Sequence, residues 1–476
     1  MELSTESLQA SVPENVRLLC RRLRDAGHRS WIVGGCVRDG LLEELAGAEV
    51  SSARNDWDVA TSARPEEVAA VFRRVIPTGI AHGTVTVVLG NDHYEVTTLR
   101  GETSYTDGRR PDSVYFVDDI RDDLARRDFT INAIAFDVLE DKLIDPFDGT
   151  RDLRERCLRA VGVPSERFAE DGLRVLRAAR FVATLEVELD PETARAIQPS
   201  LDSYRKVSAE RIRDEWIKTM KASRPSRAFE VMREHGLLAL TAPELLESVG
   251  CTQNRYHAFD VWNHALHCLD NCPHDPILRI AGLFHDVGKP RTRAFSEKTQ
   301  DYTFYEHERI GAEMVVPVLD RLRFSNEERQ RIAALVRHHL ICYDGTWSDA
   351  AVRRWLRRVT PELAGELYLL GEADVKAKGK DAATDLQHIE ALKQHVERVL
   401  SAGAALSLRD LAISGRDLMQ ELALRPGPIF GEILQLLLDE VVEEPSRNER
   451  AKLLERARTL VAGRAESQSA PRRESS

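Results

Sequence analysis

The chain has 476 residues, 42% of them hydrophobic and 30% charged, with a formal net charge of −11. That length exceeds one ordinary core and predicts roughly two to four domains. No apolar run is long enough to span a bilayer. Seven scattered Cys without a CxxC pair read as reduced thiols of a cytoplasmic protein, with Cys268 and Cys272 as core packing. The opening MELSTESLQA lacks the basic and apolar regions of a secretory signal. The acidic balance argues against indiscriminate coating of nucleic acid. Locally the balance reverses: residues 151–180 hold eight Arg against five carboxylates, and 201–233 nine Lys/Arg against five. Such a stripe suits one particular nucleic acid, although on charge alone a solvated helix face is the commoner meaning.

Residues 1–12 read as a frayed tail. From about residue 13 to 145, strand and helix signals alternate. Ser30–Val33 is a strand candidate that runs into Gly34-Gly35. Residues 55–60, 83–89 (GTVTVVL) and 94–99 (YEVTTL) are β-rich, and 65–75 is a helix with Pro in its first turn. The polar, Gly/Pro-punctuated 101–113 is a mobile loop. From 151 onward strand signals nearly vanish, and amphipathic helices broken at prolines run to about 460. These signals predict an α+β chain. An N-terminal α/β head with a small mixed sheet covers 13–150, and a helical neck and body 151–250. A second helical domain covers 255–380 and a helical tail 381–462, with 463–476 disordered by composition.

Two acids two apart on a strand share a face, so Asp56 and Asp58 point one way and Trp57 the other. Beside them, Gly34 and Gly35 let backbone N–H groups approach phosphates, and Arg38 adds a cation. A lone DxD is more often an edge-strand solubility device. With the glycine turn it suits a Mg²⁺–triphosphate site and nucleotidyl transfer, Glu95 being the candidate third carboxylate. In Arg126-Arg127-Asp128-Phe129-Thr130-Ile131-Asn132, Arg127 is expected to hold phosphate oxygens and Asp128 to accept from a ribose hydroxyl. Asn132 would support Asp128, and Asp145 would buttress the arginines. In Glu170-Asp171-Gly172-Leu173-Arg174-Val175-Leu176-Arg177, Asp171 and Arg174 are i,i+3 neighbours on a helix face. A carboxylate accepts from an exocyclic amine and an Arg donates to ring acceptors, so this pair can select C and A over U and G. An ordinary surface ion pair is the plain alternative.

These runs, with DGRRPDSVYF, DPFDGTRDL and SAERIRDEW, resemble in order the bacterial class II tRNA nucleotidyltransferase/poly(A) polymerase family over residues 31 to about 235. The resemblance implies a head, neck, body and tail. The head carries the chemistry on Asp56 and Asp58, with nucleotide contacts at Arg38, Arg127 and Asp128, and Arg177, in the run with Asp171 and Arg174, is a further candidate nucleotide contact. The neck reads the base with Asp171 and Arg174, and the body and tail hold the tRNA acceptor stem. CTP, ATP and Mg²⁺ are the implied small partners, with no membrane and no obligate protein partner. Activities in the family are CCA, CC or A addition and poly(A) synthesis. The full-length loop TSYTDGRRPDSVYF resembles that of CCA-adding members. Residues 411–455 resemble the tail of HD-containing members.

A second constellation lies at 264–374. His264, His285-Asp286, His307, His338-His339 and Asp374 sit on or beside several helices, from which imidazoles and carboxylates can converge on divalent metal. Neighbouring His285 and Asp286 reach one ion only at a helix end, and Gly288 supplies a break. The order resembles the HD phosphohydrolase superfamily, with His264, His285, Asp286 and Asp374 as core ligands. His307 and His338 would be the extra ligands of dinuclear members, and Lys289 would contact phosphate. The implied metal is a divalent transition ion (Mn²⁺, Ni²⁺ or Fe²⁺). The implied substrates are phosphomonoesters, 2′,3′-cyclic phosphates or 2′-nucleotides. The competing reading is a metal phosphohydrolase whose head only senses nucleotide.

Overall fold

The computed structural model describes residues 5–46, 57–80, 83–102, 114–422 and 427–469. The chain divides into two compact units, Met1–Leu246 with Val318–Phe324, and Glu247–Pro317 with Ser325–Ser476.

The first unit carries nine strands at its N-terminal end: β1 (Ser30–Val33), β2 (Asp58–Thr61), β3 (Val75–Gly79), β4 (Thr84–Leu89), β5 (Asp92–Thr98), β6 (Arg100–Glu102), β7 (Val114–Phe116), β8 (Ala135–Asp137) and β9 (Lys142–Ile144). Seven form one mixed sheet in the order β3-β4-β5-β2-β1-β8-β9, and β6 with β7 make a separate hairpin. Every pairing in the large sheet is antiparallel except β2 with β5, which run parallel with Val59 opposite Val96. The sequence SWIV of β1 is buried throughout, as an apolar run in a central strand should be. Trp31, Val33, Ala60, Leu124 and Ala135 share one core cluster under the sheet. β1 therefore fixes where the glycine turn after it emerges.

Three elements differ from the sequence expectation. Residues 5–12 are not frayed: Glu6–Ser11 is a helix with Leu8 fully buried, and that apolar anchor outweighs the polar composition. The helix at 65 stops at Val71, because Phe72 is extended (ψ 136°), and β3 follows. Val75 and Ile76 are β-branched and fit a pleated surface better than a helix. At the other end the helix Arg450–Ser469 passes the point where composition alone ends order. The expected mobile loop and the run before β2, which includes Asp56, lie almost entirely outside the described residues.

Beyond the sheet the chain is helical apart from two short strand pairs, Cys157–Leu158 with Glu188–Leu189 and Ala294–Ser296 with Asp301–Thr303. In the second unit, side-chain caps start the helices that deliver the metal-type ligands. Asp260 accepts from Asn263 N–H ahead of Val261–Asn271, and Asp275 from Leu278 N–H ahead of Pro276–Phe284. Ser325 and Glu328 form a capping box ahead of Asn326–His338, and Thr360 accepts from Leu363 N–H ahead of Pro361–Ala377. Each such cap contributes about 1 kcal/mol and fixes where the helix begins. A separate cluster including Leu418, Ile433, Leu437 and Leu453 forms the core of the C-terminal helices. No helix among the described residues is long and apolar enough to cross a membrane.

Candidate active site and metal centre

Gly34 leaves β1 with φ +81°, a conformation that an L side chain resists. A Cβ there would meet Arg127 Nη1 at 3.2 Å and Asp58 Oδ2 at 3.6 Å. Glycine thus brings the backbone against one carboxylate and one guanidinium. The turn borders a cavity of about 560 Å³ lined by seven arginines (38, 126, 127, 174, 177, 180 and 211) and three aspartates (58, 128 and 171). That excess of positive charge in a concave site suits a polyanion of nucleotide size.

Internal partners position most of these side chains. Asp128 Oδ2 accepts from Arg177 Nε at 2.8 Å and Nη2 at 2.5 Å, and its Oδ1 accepts from Phe129 N–H and Asn132 Nδ2. Burial alone would raise the Asp128 carboxyl, but Arg177 overrides it and holds the group well below the usual carboxylate range. Asn132 Oδ1 in turn accepts from Arg38 Nη1 at 2.7 Å. Arg38, Arg177 and Arg180 stack around the buried Phe181 ring at 5.3, 5.3 and 4.0 Å. Arg180 is held by Glu215 at 2.5 Å. Two buried guanidinium nitrogens on cavity-lining residues, Arg127 Nε and Arg211 Nη1, have no partner. Unmet donors of that kind call for an anion.

The structure brings Gly34, Gly35, Arg38, Asp58, Arg127, Asp128, Asn132, Asp171, Arg174 and Arg177 to this cavity. Asp56 lies outside the described residues. Glu95 is exposed on β5 and does not line the cavity. Asp145 does not buttress the arginines: it accepts from Gly149 N–H, Thr150 N–H and the Thr150 hydroxyl, capping the helix Gly149–Arg154.

Asp171 and Arg174 do not share a helix. Pro164–Glu170 ends before Asp171, whose backbone is extended, and Leu173–Thr184 begins after Gly172. Gly172 packs so closely on the next segment that a Cβ would lie 2.2 Å from Ser203 O. Nor do the two side chains pair with each other. Asp171 Oδ1 accepts from Leu173 N–H, and its Oδ2 from Arg211 at 2.6 Å. Arg174 donates to Glu170, Arg167 O and Arg126 O. Sequence reasoning passed over Arg180 and Arg211. Their one signal was the basic stripe, in which Arg211 sits within SAERIRDEW.

The second unit gathers His264, His285, Asp286, His307, His339 and Asp374, all but Asp374 buried. The four ring Nδ1 atoms face backbone oxygens: Ala377 at 3.3 Å, Gly282 at 2.7 Å, Phe304 at 2.7 Å and Val336 at 2.8 Å. A carbonyl only accepts, so each Nδ1 carries a proton and each Nε2 offers its lone pair. Those Nε2 atoms then meet in pairs, His264 with His285 at 3.2 Å and His307 with His339 at 3.3 Å. Facing lone pairs repel, so each pair calls for positive charge. A proton meets the call at His285, where burial works against it and Asp286 still holds the imidazole up at about 10. His339 moves the other way, pushed down to about 3 by burial and by His285 and His307. A divalent ion would meet the call at both pairs.

Asp286 stands between the two pairs. Its Oδ2 faces His264 (3.4 Å) and His285 (3.2 Å), its Oδ1 His307 (3.3 Å) and His339 (3.6 Å). Asp374 Oδ1 joins the first pair, 2.9 Å from His264. Lys289 Nζ lies 2.6 Å from Asp286 Oδ2. His338 stays outside: it ends its helix half-buried near Arg358 and Arg337, and the next residue, His339, turns inward. Gly288 does more than break a helix, since a Cβ there would lie 2.2 Å from His307 O. Cys268 and Cys272 are buried packing beside Gly282.

A mixed sheet whose central strand feeds a glycine turn over an arginine-lined cavity defines the N-terminal part of the first unit. The Poly A polymerase head domain family matches residues 30–159, the Probable RNA and SrmB-binding site of polymerase A family matches 186–248, and tRNA nucleotidyltransferase domain 2 matches 309–457. The CCA-adding enzyme of Lactobacillus johnsonii is 46% identical over 217 residues, 46% of this chain and 52% of that enzyme. The match thus spans about half the length of the Lactobacillus relatives. The CCA-adding enzyme of Pediococcus pentosaceus is 32% identical over 446 residues, covering 93% of this chain and 96% of its own. The crystal structure of the Bacillus stearothermophilus CCA-adding enzyme in complex with CTP is 26% identical, covers 98% of this chain and 100% of its own, and superposes with a TM-score of 0.66. The chain belongs to the bacterial class II CCA-adding enzyme family.

Proposed function

We propose that this chain adds C, C and A to the 3′ end of tRNA from CTP and ATP, and that its second unit hydrolyses phosphoesters. The observation that carries the first part is the arginine-lined cavity, with Asp58 at the glycine turn and two buried guanidinium nitrogens left for an anion. Asp56 and Asp58 would hold Mg²⁺. The metal, when bound, activates the 3′-hydroxyl and offsets charge on the α-phosphate and pyrophosphate. Gly34 and Gly35 present backbone N–H groups to the triphosphate, and Arg38 and Arg127 take its oxygens. Asp128, whose oxygens are taken by Arg177, Phe129 N–H and Asn132, fixes Arg177 and Asn132 in the cavity wall.

Asp171 is turned by Arg211 and keeps lone pairs free to accept the exocyclic amine of C or A. Arg174 has two of its five N–H groups uncommitted and donates them to the base. The basic body and the tail hold the acceptor stem. In the second unit Asp286 links two cation positions, and a cavity of about 240 Å³ opens on His339 and Asp374 with Lys378 and His388 in its wall. It has room for a small phosphoester; Lys289, proposed from the sequence as the phosphate contact, does not line it and instead pairs with Asp286. A divalent transition ion (Mn²⁺, Ni²⁺ or Fe²⁺) held by His264, His285, Asp286 and Asp374 would activate water for attack on the phosphoester.

The test is incorporation of single labelled nucleotides with Mg²⁺ on tRNA ending before CCA, tRNA ending in CC, and oligo(A). Two C then one A with arrest is expected. C alone, A alone, or open-ended A would each replace this reading with a different family activity. Asp58→Ala should abolish incorporation and spare phosphoester hydrolysis, and Asp286→Ala the reverse. Incorporation surviving Asp58→Ala would overturn the head assignment.

A further inference from the structure

The segment ahead of the helix Val261–Asn271 places one more imidazole against the metal cluster. His257 stands edge-on to His264 with ring centroids 4.9 Å apart. The ligand atoms of His257, His264 and Asp374 all lie within 4.8 Å of one another.

Asn254 sets which nitrogen of His257 is available. Its Oδ1 lies 2.9 Å from His257 Nδ1 and also accepts from Tyr256 N–H at 3.2 Å. The backbone donor identifies that atom as the amide oxygen, so His257 Nδ1 carries a proton and Nε2 keeps its lone pair. This is the same arrangement as in the four histidines of the cluster, with a side-chain amide replacing the carbonyl.

His264 belongs to two ligand triangles, one with His285 and Asp286 and one with His257 and Asp374. Its Nδ1 faces Ala377 O, so it has one lone pair to offer. One lone pair serves one ion, and the two triangles are therefore faces of one coordination sphere. We propose that His257, through Nε2, is an additional ligand of the cation held by His264, His285, Asp286 and Asp374. The inference rests on the metal-centre reading above. Three imidazoles and two carboxylates would give that cation five protein donors. Such a sphere favours a six-coordinate ion such as Mn²⁺ over a tetrahedral one. Asn254 becomes the outer partner that orients the ligand, as carboxylates and carbonyls do elsewhere.

The experiment titrates Mn²⁺ into the full chain and follows free Mn²⁺ by electron paramagnetic resonance. Wild type should bind two ions. His257→Gln should weaken one of them at least tenfold and leave the other unchanged. Asn254→Ala should weaken the same ion by about 10- to 100-fold, and His338→Ala should change neither. If His257→Gln does not fold, Asn254→Ala, which keeps the ring, carries the test alone. Two ions bound as tightly in His257→Gln or Asn254→Ala as in wild type would overturn the inference while leaving the metal centre intact. No Mn²⁺ bound by wild type would overturn the metal-centre reading and the inference with it.

Discussion

Asp128 is surrounded by donors from its own chain: Arg177 on one oxygen, Phe129 N–H and Asn132 on the other. Its folded pKa is depressed below the unfolded value of about 3.9. The stability it contributes is therefore fully present above that value and is lost as pH falls through the folded pKa. Asp128→Asn, which leaves Arg177 facing an amide, should lose about 3 kcal/mol at pH 7. Its urea stability should also fall less steeply than wild type below pH 4. Parallel curves from pH 7 to pH 3 would show that Asp128 is not the group that titrates. Asp171→Ala should relax base choice before it abolishes transfer, read as misincorporated U or G on tRNA ending before CCA. Unchanged selectivity would remove Asp171 from base reading. Residue types and order were legible in the sequence here, but partners were not. Asp171 meets Arg211, forty positions away, and no local spacing announces that pair. His339 rather than His338 turns inward for a similar reason: adjacent positions on a helix differ by about 100° of rotation, and only packing decides which one faces the core.

At the level of elements, the tight place is Gly172, where the end of one helix and the start of another meet the backbone at Ser203. Its φ of −58° suits any residue, so the objection to a side chain there is space alone. Gly172→Ala should destabilise by about 1–3 kcal/mol and disturb selectivity by moving Asp171. A variant with unchanged melting temperature and unchanged base choice would show that the contact yields freely. Strands and helices with clear periodicity, such as β1, β4 and β5, were legible in the sequence. β3 was not, because Val75 and Ile76 follow a good helix start without an intervening breaker. The break inside EDGLR was also hidden, since a single Gly in a helical pattern is usually tolerated.

Across the whole molecule, every residue of the proposed metal centre falls within the second unit, although they come from segments on both sides of residues 318–324. Mn²⁺ at about 100 times its Kd should add about 2.7 kcal/mol to that unit for each ion bound. Hydrogen exchange should slow in the helices Pro276–Phe284 and Asn326–His338 and stay unchanged in Leu173–Thr184. Equal slowing in all three would mean that the ion acts elsewhere. The general order of sheet first and helices after was readable from composition and period. The return of residues 318–324 to the first unit was not, since it depends on packing between segments distant in sequence.

Three of the cluster's histidines take their orientation from the carbonyl three residues earlier in their own turn: Gly282 for His285, Phe304 for His307 and Val336 for His339. In evolutionary terms the aim of each ring is inherited with its own tetrapeptide. Neutral drift in the surrounding helices can alter packing and charge without rotating a ligand. A lineage that loses the proposed centre would do so through changes in those few turns, and they are the place to look when relatives are sorted into those that keep the histidine cluster and those that have lost it.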